Sequence, residues 1–304
     1  MNTYVKVRAP ATLANFGPGF DVYGVALEAP FDTVEISLTD GPSTVTSNMD
    51  SLPTDVNENV ASYAAQQVLD RYGAGVHFDM RVTKGIRPAS GMGSSGASSV
   101  GGAFAAAALC DTIVAEDIVL AAAEGERISS GNPHADNVVP SYMGGFTSIV
   151  SLRPFNVINI HPEDLHIVAV LPDIEVSTRQ ARAILPETVA LQDAVSNVAM
   201  GSYVIYCLMN GDYEGLSVAL DDRLSVPYRK TLINGYDEAR QAALDAGALA
   251  FSLGGSGPTV FAVTTNTHKK EIADAIANAF ADKGIGSSTY LTMVGSGAQV
   301  VALE

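Results

Sequence analysis

The sequence predicts an α+β protein built from two domains. Three observations carry that prediction. Segments that alternate apolar and polar side chains, the period of a strand, are interleaved with segments whose apolar residues recur at helical spacing. The pattern is interrupted near 152–165 by Pro154, Asn156 and Pro162, and restarts from Leu165. The 304 residues, 47% of them hydrophobic, suffice for two cores of ordinary size. The expected domains are residues 1–158 and 159–304.

Tyr4 to Ala9 reads as a first strand, leading into a loop from Pro10 to Asp21 that holds two glycines and two prolines. Strands are expected at Val22–Leu27 and Asp32–Leu38. Asn15 and Asp21 sit in that loop among apolar residues, where they either meet a ligand or cap the loop's own backbone. Val60 to Tyr72 has one apolar helical face, with Asn57 or Asn59 as its cap. Phe78 to Val82 alternates as a strand, and Val100 to Cys110 is an apolar, small-residue helix. Ile118 to Ser129 is a helix preceded by acidic residues, as its dipole prefers, and is followed by the polar loop Gly131–Pro140. The second half reads as strand His166–Leu171, a helix opened by Val176–Arg182, and helices near Leu191–Met209 and Gly215–Ala219. A loop follows with Arg223 and Arg229 on either side of Pro227. Helices Ile233–Ala246 and Lys269–Lys283 enclose strands Phe251–Leu253 and Val260–Val263. A last strand lies near Tyr290–Met293 or Gln299–Ala302.

The stretch Pro88-Ala89-Ser90-Gly91-Met92-Gly93-Ser94-Ser95-Gly96-Ala97-Ser98-Ser99 joins a strand to a buried helix. Gly91 and Gly93 allow backbone conformations in which several N–H groups point at one anion. Ser94 or Ser95 is expected to cap the helix, whose positive end faces that anion. These are the properties of a phosphate cradle. No Gly-Lys-Ser/Thr follows, so it is not a Walker A loop, and it lacks the third glycine of the dinucleotide fingerprint. A flexible linker would not run straight into an apolar helix. A second cluster, Gly254-Gly255-Ser256-Gly257-Pro258-Thr259, is either a hairpin turn or a second loop facing the same cleft. Glu126, just before the polar loop, is placed to hold magnesium beside a nucleotide, since that metal prefers oxygen ligands; a solvated helix end is its other reading.

Seventeen basic and 33 acidic residues leave a formal charge of −16, which argues against nucleic acid and anionic membranes as partners. Cys110 and Cys207 lie in apolar helical contexts and read as buried free thiols. No stretch reaches membrane-spanning length without polar interruption, and the N-terminus has no signal-peptide layout. A cytoplasmic location is expected.

Three segments together resemble the motifs of the GHMP small-molecule kinases: Pro10-Ala11-Thr12 with Asn15-Phe16-Gly17-Pro18-Gly19-Phe20-Asp21, the Pro88–Ser95 loop, and Gly254–Thr259. Within that superfamily the first segment looks like the homoserine kinase version. So do His134-Ala135-Asp136-Asn137-Val138-Val139-Pro140 and Ser177–Pro186. The resemblance spans almost the whole chain. It implies an N-terminal domain like domain 2 of ribosomal protein S5, a ferredoxin-like C-terminal domain, and ATP bound between them. It implies transfer of the ATP γ-phosphoryl group to the side-chain hydroxyl of L-homoserine, on the route to threonine, with Mg2+ as cofactor and a homodimer as the assembly. By the same resemblance, Pro88, Gly91, Met92, Gly93, Ser94 and Ser95 hold phosphate, and Glu126 binds the metal together with one of the two serines, Ser94 or Ser95. Asn59 starts the adenine-side helix. Asn15, Asp21, Asn137, Arg182, Arg229, Gly255 and Ser256 surround the amino-acid substrate, with Asp21 toward its ammonium and both arginines toward its carboxylate. Asn137 occupies the place where other GHMP kinases have an aspartate base. Two competing readings are a GHMP kinase with another small hydroxylated acceptor and a silent nucleotide-binding sensor. The zwitterion-matched set of charges and the retained metal residues count against them.

Overall fold

The computed structural model describes residues 2–72, 75–131 and 133–304; Asn132, within the polar loop singled out above, lies outside them. The first half comprises β1 (Tyr4–Ala14), β2 (Tyr23–Thr39), β3 (Thr44–Ser47), α1 (Val60–Tyr72), β4 (His77–Thr83), α2 (Ser94–Leu109), α3 (Ala115–Ser130), α4 (Val138–Met143), β5 (Phe146–Leu152) and β6 (Phe155–Ile160). The second comprises β7 (His166–Pro172), α5 (Thr178–Ala183), α6 (Leu191–Asn210), α7 (Leu216–Ala219), α8 (Val226–Arg229), α9 (Tyr236–Asp245), β8 (Ala250–Leu253), β9 (Val260–Thr264), α10 (Lys269–Ala281), β10 (Ser287–Met293) and β11 (Gln299–Leu303).

Two sheets organise these elements. The first runs β11-β1-β2-β4-β3, with β5 on β2 and β6 on β5; the second runs β10-β7-β9-β8. The division expected at 158/159 falls inside β6, which stays paired with β5. The end of the chain splits between layers, β10 joining β7 and β11 returning to β1. Both segments offered for the last strand therefore form strands. The two strands expected at Val22–Leu27 and Asp32–Leu38 are one continuous β2. Its pairing with β1 shifts register between Pro10 and Thr12, so the polar Glu28 and the following Pro30 form an irregularity in the strand and not a turn.

Elsewhere the period-2 pattern sets the register: Val5 lies opposite Ile36 and Val7 opposite Val34, all four buried. Helices α1 and α2 cover that sheet. Every residue of α2 except Ser95 is buried, which explains its alanines and glycines. A Cβ on Gly102 would stand 2.0 Å from the Ala61 carbonyl oxygen of α1, so the helices meet backbone to backbone. In the second layer, Val168, Val170, Ile272, Ile276 and Phe280 form a separate core under α9 and α10.

Gly102→Ala should lower stability by about 1–3 kcal/mol through overpacking. Urea denaturation checks this, and an unchanged midpoint would mean that the α1–α2 approach is looser than described.

Candidate active site

A cleft of about 910 Å³ runs between the two layers. It is lined by all the sequence-predicted site residues except Met92: Asn15, Asp21, Asn59, Pro88, Gly91, Gly93, Ser94, Ser95, Glu126, Asn137, Arg182, Arg229, Gly255 and Ser256. Met92 is a correction. Its side chain is fully buried in the core, and its carbonyl accepts from the Thr12 N–H at 3.1 Å. The glycines on either side turn the backbone, and the apolar side chain between them points inward.

At the phosphate end, Gly93 takes a left-handed conformation (φ 64°) at the N-cap of α2. The helix thus starts at Ser94, and no side chain caps it, contrary to the expected serine cap. The first-turn N–H groups of a helix lack intrahelical acceptors, so this end presents donors and a positive dipole to the cleft. The Ser94 hydroxyl donates to the Ile86 carbonyl at 3.0 Å. The Ser95 hydroxyl hydrogen-bonds with Glu126. Burial raises the Glu126 carboxyl to about 7, against the Ser95 hydrogen bond and nearby Lys84, which favour its ionised form. Asn59 caps α1: its amide oxygen accepts from Ala61 and Ser62 N–H groups, and its amide nitrogen donates to Pro53.

Two residues here were given no role from the sequence, although Thr12 belongs to the first motif. Lys84 has a side chain only 3% exposed, paired with Asp32, and also donates to the Ser94 carbonyl and the Ser98 hydroxyl, each at 2.8 Å. Asp32 in turn accepts from the Gly85 and Ile86 N–H groups and from Ser98. This buried network anchors the chain on both sides of the phosphate loop. Burial lowers the pKa of Lys84, opposed by its pairing with Asp32. The second residue is Thr12, fully buried, whose hydroxyl donates to the Asn137 side-chain oxygen at 2.7 Å. That bond leaves the Asn137 amide N–H groups as the end available to the cleft.

At the other end of the cleft, Asp21 and Arg182 form an ion pair at 2.8 and 3.0 Å. Arg229 is buried, with donors to the carbonyls of Ala181 and Gly255 at 3.0 and 2.9 Å. Both guanidinium groups lie over the Phe20 ring. Burial lowers the Arg229 pKa, and neighbouring Arg182 adds to that. Asn15 holds the loop that carries Asp21: its oxygen accepts from the Asp21 N–H, and its nitrogen donates to Gly255. Ser256 Oγ is 3.4 Å from Thr178 Oγ1, across the mouth. His134 and Asp136 also line the cleft. Burial lowers the pKa of His134, with Arg182 adding to it, and raises Asp136 to about 7.

The model for the GHMP kinases N terminal domain matches residues 59–145, and that for the GHMP kinases C terminal matches residues 204–282. The homoserine kinase of Pyrococcus abyssi is 45% identical over 97% of this chain and 98% of its own. That of Halobacterium salinarum is 40% identical over 99% of this chain and 97% of its own. The chain belongs to the homoserine kinases. The crystal structure of homoserine kinase from Cytophaga hutchinsonii superposes with a TM-score of 0.93 at 36% identity, covering 99% of this chain and 98% of that one. The fold is accordingly the two-domain GHMP kinase fold, as the motifs predicted. Among the described residues, no helix of this kinase is long and apolar enough to cross a membrane.

Glu126 and Asp136 both hold protons more tightly in the folded chain than at their ordinary values of 4.5 and 3.8. The folded state therefore binds more protons than the unfolded one between those values and about 7, and stability falls as pH rises through that window. For the metal-free protein, thermal melts from pH 4.5 to 7 should show this decline, and Glu126→Gln should flatten it. A parallel decline in the variant would remove Glu126 as a cause.

Proposed function

We propose that this kinase transfers the γ-phosphoryl group of ATP to the side-chain hydroxyl of L-homoserine, giving O-phospho-L-homoserine and ADP on the route to threonine. The observation that carries the proposal is the charge pattern opposite the phosphate loop. One carboxylate, Asp21, stands beside two guanidinium groups, Arg182 and Arg229, at the far end of the cleft. Such a set suits an ammonium and a carboxylate borne on one carbon, and the planar guanidinium fork suits the carboxylate. A sugar or an isoprenoid alcohol has no use for it.

The N–H groups at the start of α2 and its dipole take the phosphates. Ser94, Ser95 and Glu126 offer hard oxygen donors suited to Mg2+, and a carboxylate that burial disfavours in its charged form fits a cation beside it. Among the described residues no group of three or more His, Cys, Asp or Glu could hold a metal. That accords with an ion that keeps most of its shell from phosphates and water. Magnesium supplies charge neutralisation on the phosphates when bound. The substrate hydroxyl oxygen forms its bond to the γ-phosphorus as the bond to the β–γ bridging oxygen breaks.

Asn137 cannot take the hydroxyl proton, because its available end is an amide donor. It holds the acceptor oxygen or a γ-phosphoryl oxygen in line instead. Phosphoryl transfer through a loose transition state rests mainly on positioning and charge stabilisation, so the proton can leave late, onto a phosphoryl oxygen. Thr12 is a positioning residue that keeps the Asn137 amide turned this way.

Coupled ADP release with Mg-ATP and a panel of L-homoserine, L-serine, L-threonine, mevalonate, galactose and shikimate tests the proposal. Selective turnover of L-homoserine is expected, and turnover of another acceptor alone would overturn the substrate assignment. Thr12→Val should cut kcat about tenfold or more with little change in the KM for ATP, and Thr12→Ser should restore most of it. An unaltered kcat in Thr12→Val would remove the hydroxyl from the account of Asn137.

A further inference from the structure

The inner face of α6 buries an asparagine among otherwise small or apolar residues. Asn197 is 5% exposed and shares that face with Gly201, Val204, Cys207 and Leu208. Asparagine is a poor helix former, and its amide is costly to bury without partners. Two bonds satisfy it here. Its Nδ2 donates to the Pro18 carbonyl and its Oδ1 accepts from the Arg223 N–H, each at 2.8 Å. These partners lie 179 and 26 residues away in the chain. Each belongs to a segment that carries one charge of the acceptor site.

Pro18 lies in the loop that ends at Asp21, and the backbone of that loop is strained. Asn15, Phe16 and Asp21 have φ of 71°, 37° and 57°, the left-handed region that residues other than glycine avoid. Such a shape persists only where its surroundings hold it. Asn15 ties the loop to Gly255 on the cleft side, and Asn197 ties it to α6 from behind. One turn along the helix, the Gly201 carbonyl accepts from the Tyr23 hydroxyl at 3.0 Å, just past the other end of the loop. Arg223 opens the segment that leads to Arg229. The buried Asp222 carboxylate accepts from the Leu224, Ser225 and Val226 N–H groups at 2.9, 2.9 and 2.6 Å. The Arg229 N–H donates to the Ser225 carbonyl at 3.0 Å. A short hydrogen-bonded turn therefore joins Asn197 to Arg229.

We propose that Asn197 is a positioning residue whose single amide, donating to one segment and accepting from the other, sets the distance between Asp21 and Arg229. On the proposed recognition of a zwitterion by Asp21, Arg182 and Arg229, on which this assignment rests, that distance selects an acceptor with both charges on one carbon. A ligand that bears one charge is indifferent to the spacing. Neither bond of Asn197 reaches the Pro88–Ser95 loop, so ATP binding does not depend on it. A carboxylate in its place would lose the donor, and leucine would lose both partners at similar volume.

The test compares kcat/KM for L-homoserine and for 3-aminopropan-1-ol, which lacks the carboxylate, in the wild-type chain and in Asn197→Leu. A mis-spaced pair of segments engages L-homoserine through one charge at a time, as it engages the analogue. The preference for L-homoserine should therefore fall about tenfold or more in the variant, through a higher KM for L-homoserine, with the KM for ATP within about twofold. A role in stability alone would scale both substrates alike and leave the ratio and both KM values unchanged. Where Asn197→Leu does not fold, Tyr23→Phe, which removes only the neighbouring bond to α6, should shift the same ratio in the same direction by a smaller factor. Wild-type selectivity with an unaltered ratio in the folded variant would overturn the role of Asn197 alone. A wild-type chain that turns over 3-aminopropan-1-ol as well as L-homoserine would overturn the zwitterion reading, and this role with it.

Discussion

The two layers of this kinase are held in functional register by a meeting of two glycine loops at backbone distance. A Cβ on Gly91, which has a positive φ, would stand 2.6 Å from the Gly257 carbonyl oxygen. Next to it, the Ser90 carbonyl accepts from both the N–H and the hydroxyl of Thr259. One step further, the Gly255 carbonyl accepts from Asn15 and from Arg229. Contacts this close leave no room for side chains, so the loops that bound the phosphate end and the acceptor end cannot shift separately. Phosphoryl transfer depends on the two reactants being held in line, and this junction sets their separation.

Electrostatics explains the remaining design. A chain with a formal charge of −16 opposes anionic ligands at long range. Attraction must come from a few groups in a low-dielectric cleft, where each counts for more. Arg229, buried, and Arg182 supply it at one end, and the α2 N-terminus does so at the other. Lys84 looks like a third cation for phosphate, yet its contacts with Asp32, Ser94 and Ser98 engage it inside the protein. Its place is in holding the loop. The raised pKa values of Glu126 and Asp136 come from the same burial, which disfavours their charged forms.

Much of this was legible in the sequence because glycine loops report backbone constraints directly. The Pro88–Ser99 joint, the Gly254–Thr259 loop and the Asn15–Asp21 loop do line one cleft. What escaped had physical causes. The helix starts on Gly93 because a left-handed glycine can occupy the N-cap, which spacing alone does not distinguish from a serine cap. Met92 points into the core because the turn, and not the motif, decides side-chain direction. Lys84 and Thr12 act through partners 52 and 125 residues away in sequence, Asp32 and Asn137. Only the fold brings such pairs together. The irregularity that keeps β2 continuous past Pro30 likewise depends on its pairing with β1.

The account stands on recognition of a zwitterion by Asp21, Arg182 and Arg229 while the hydroxyl faces the phosphate loop. The most direct measurement compares kcat/KM for L-homoserine, 4-hydroxybutyrate, which lacks the ammonium group, and 3-aminopropan-1-ol, which lacks the carboxylate. Losing the carboxylate leaves the buried Arg229 without its counter-ion, and losing the ammonium removes the partner of the more exposed Asp21, so both analogues should fall, the one without the carboxylate by at least about 100-fold, with the KM for ATP little changed. An analogue that turns over as well as L-homoserine would contradict the role given to the charges that should have bound its missing group.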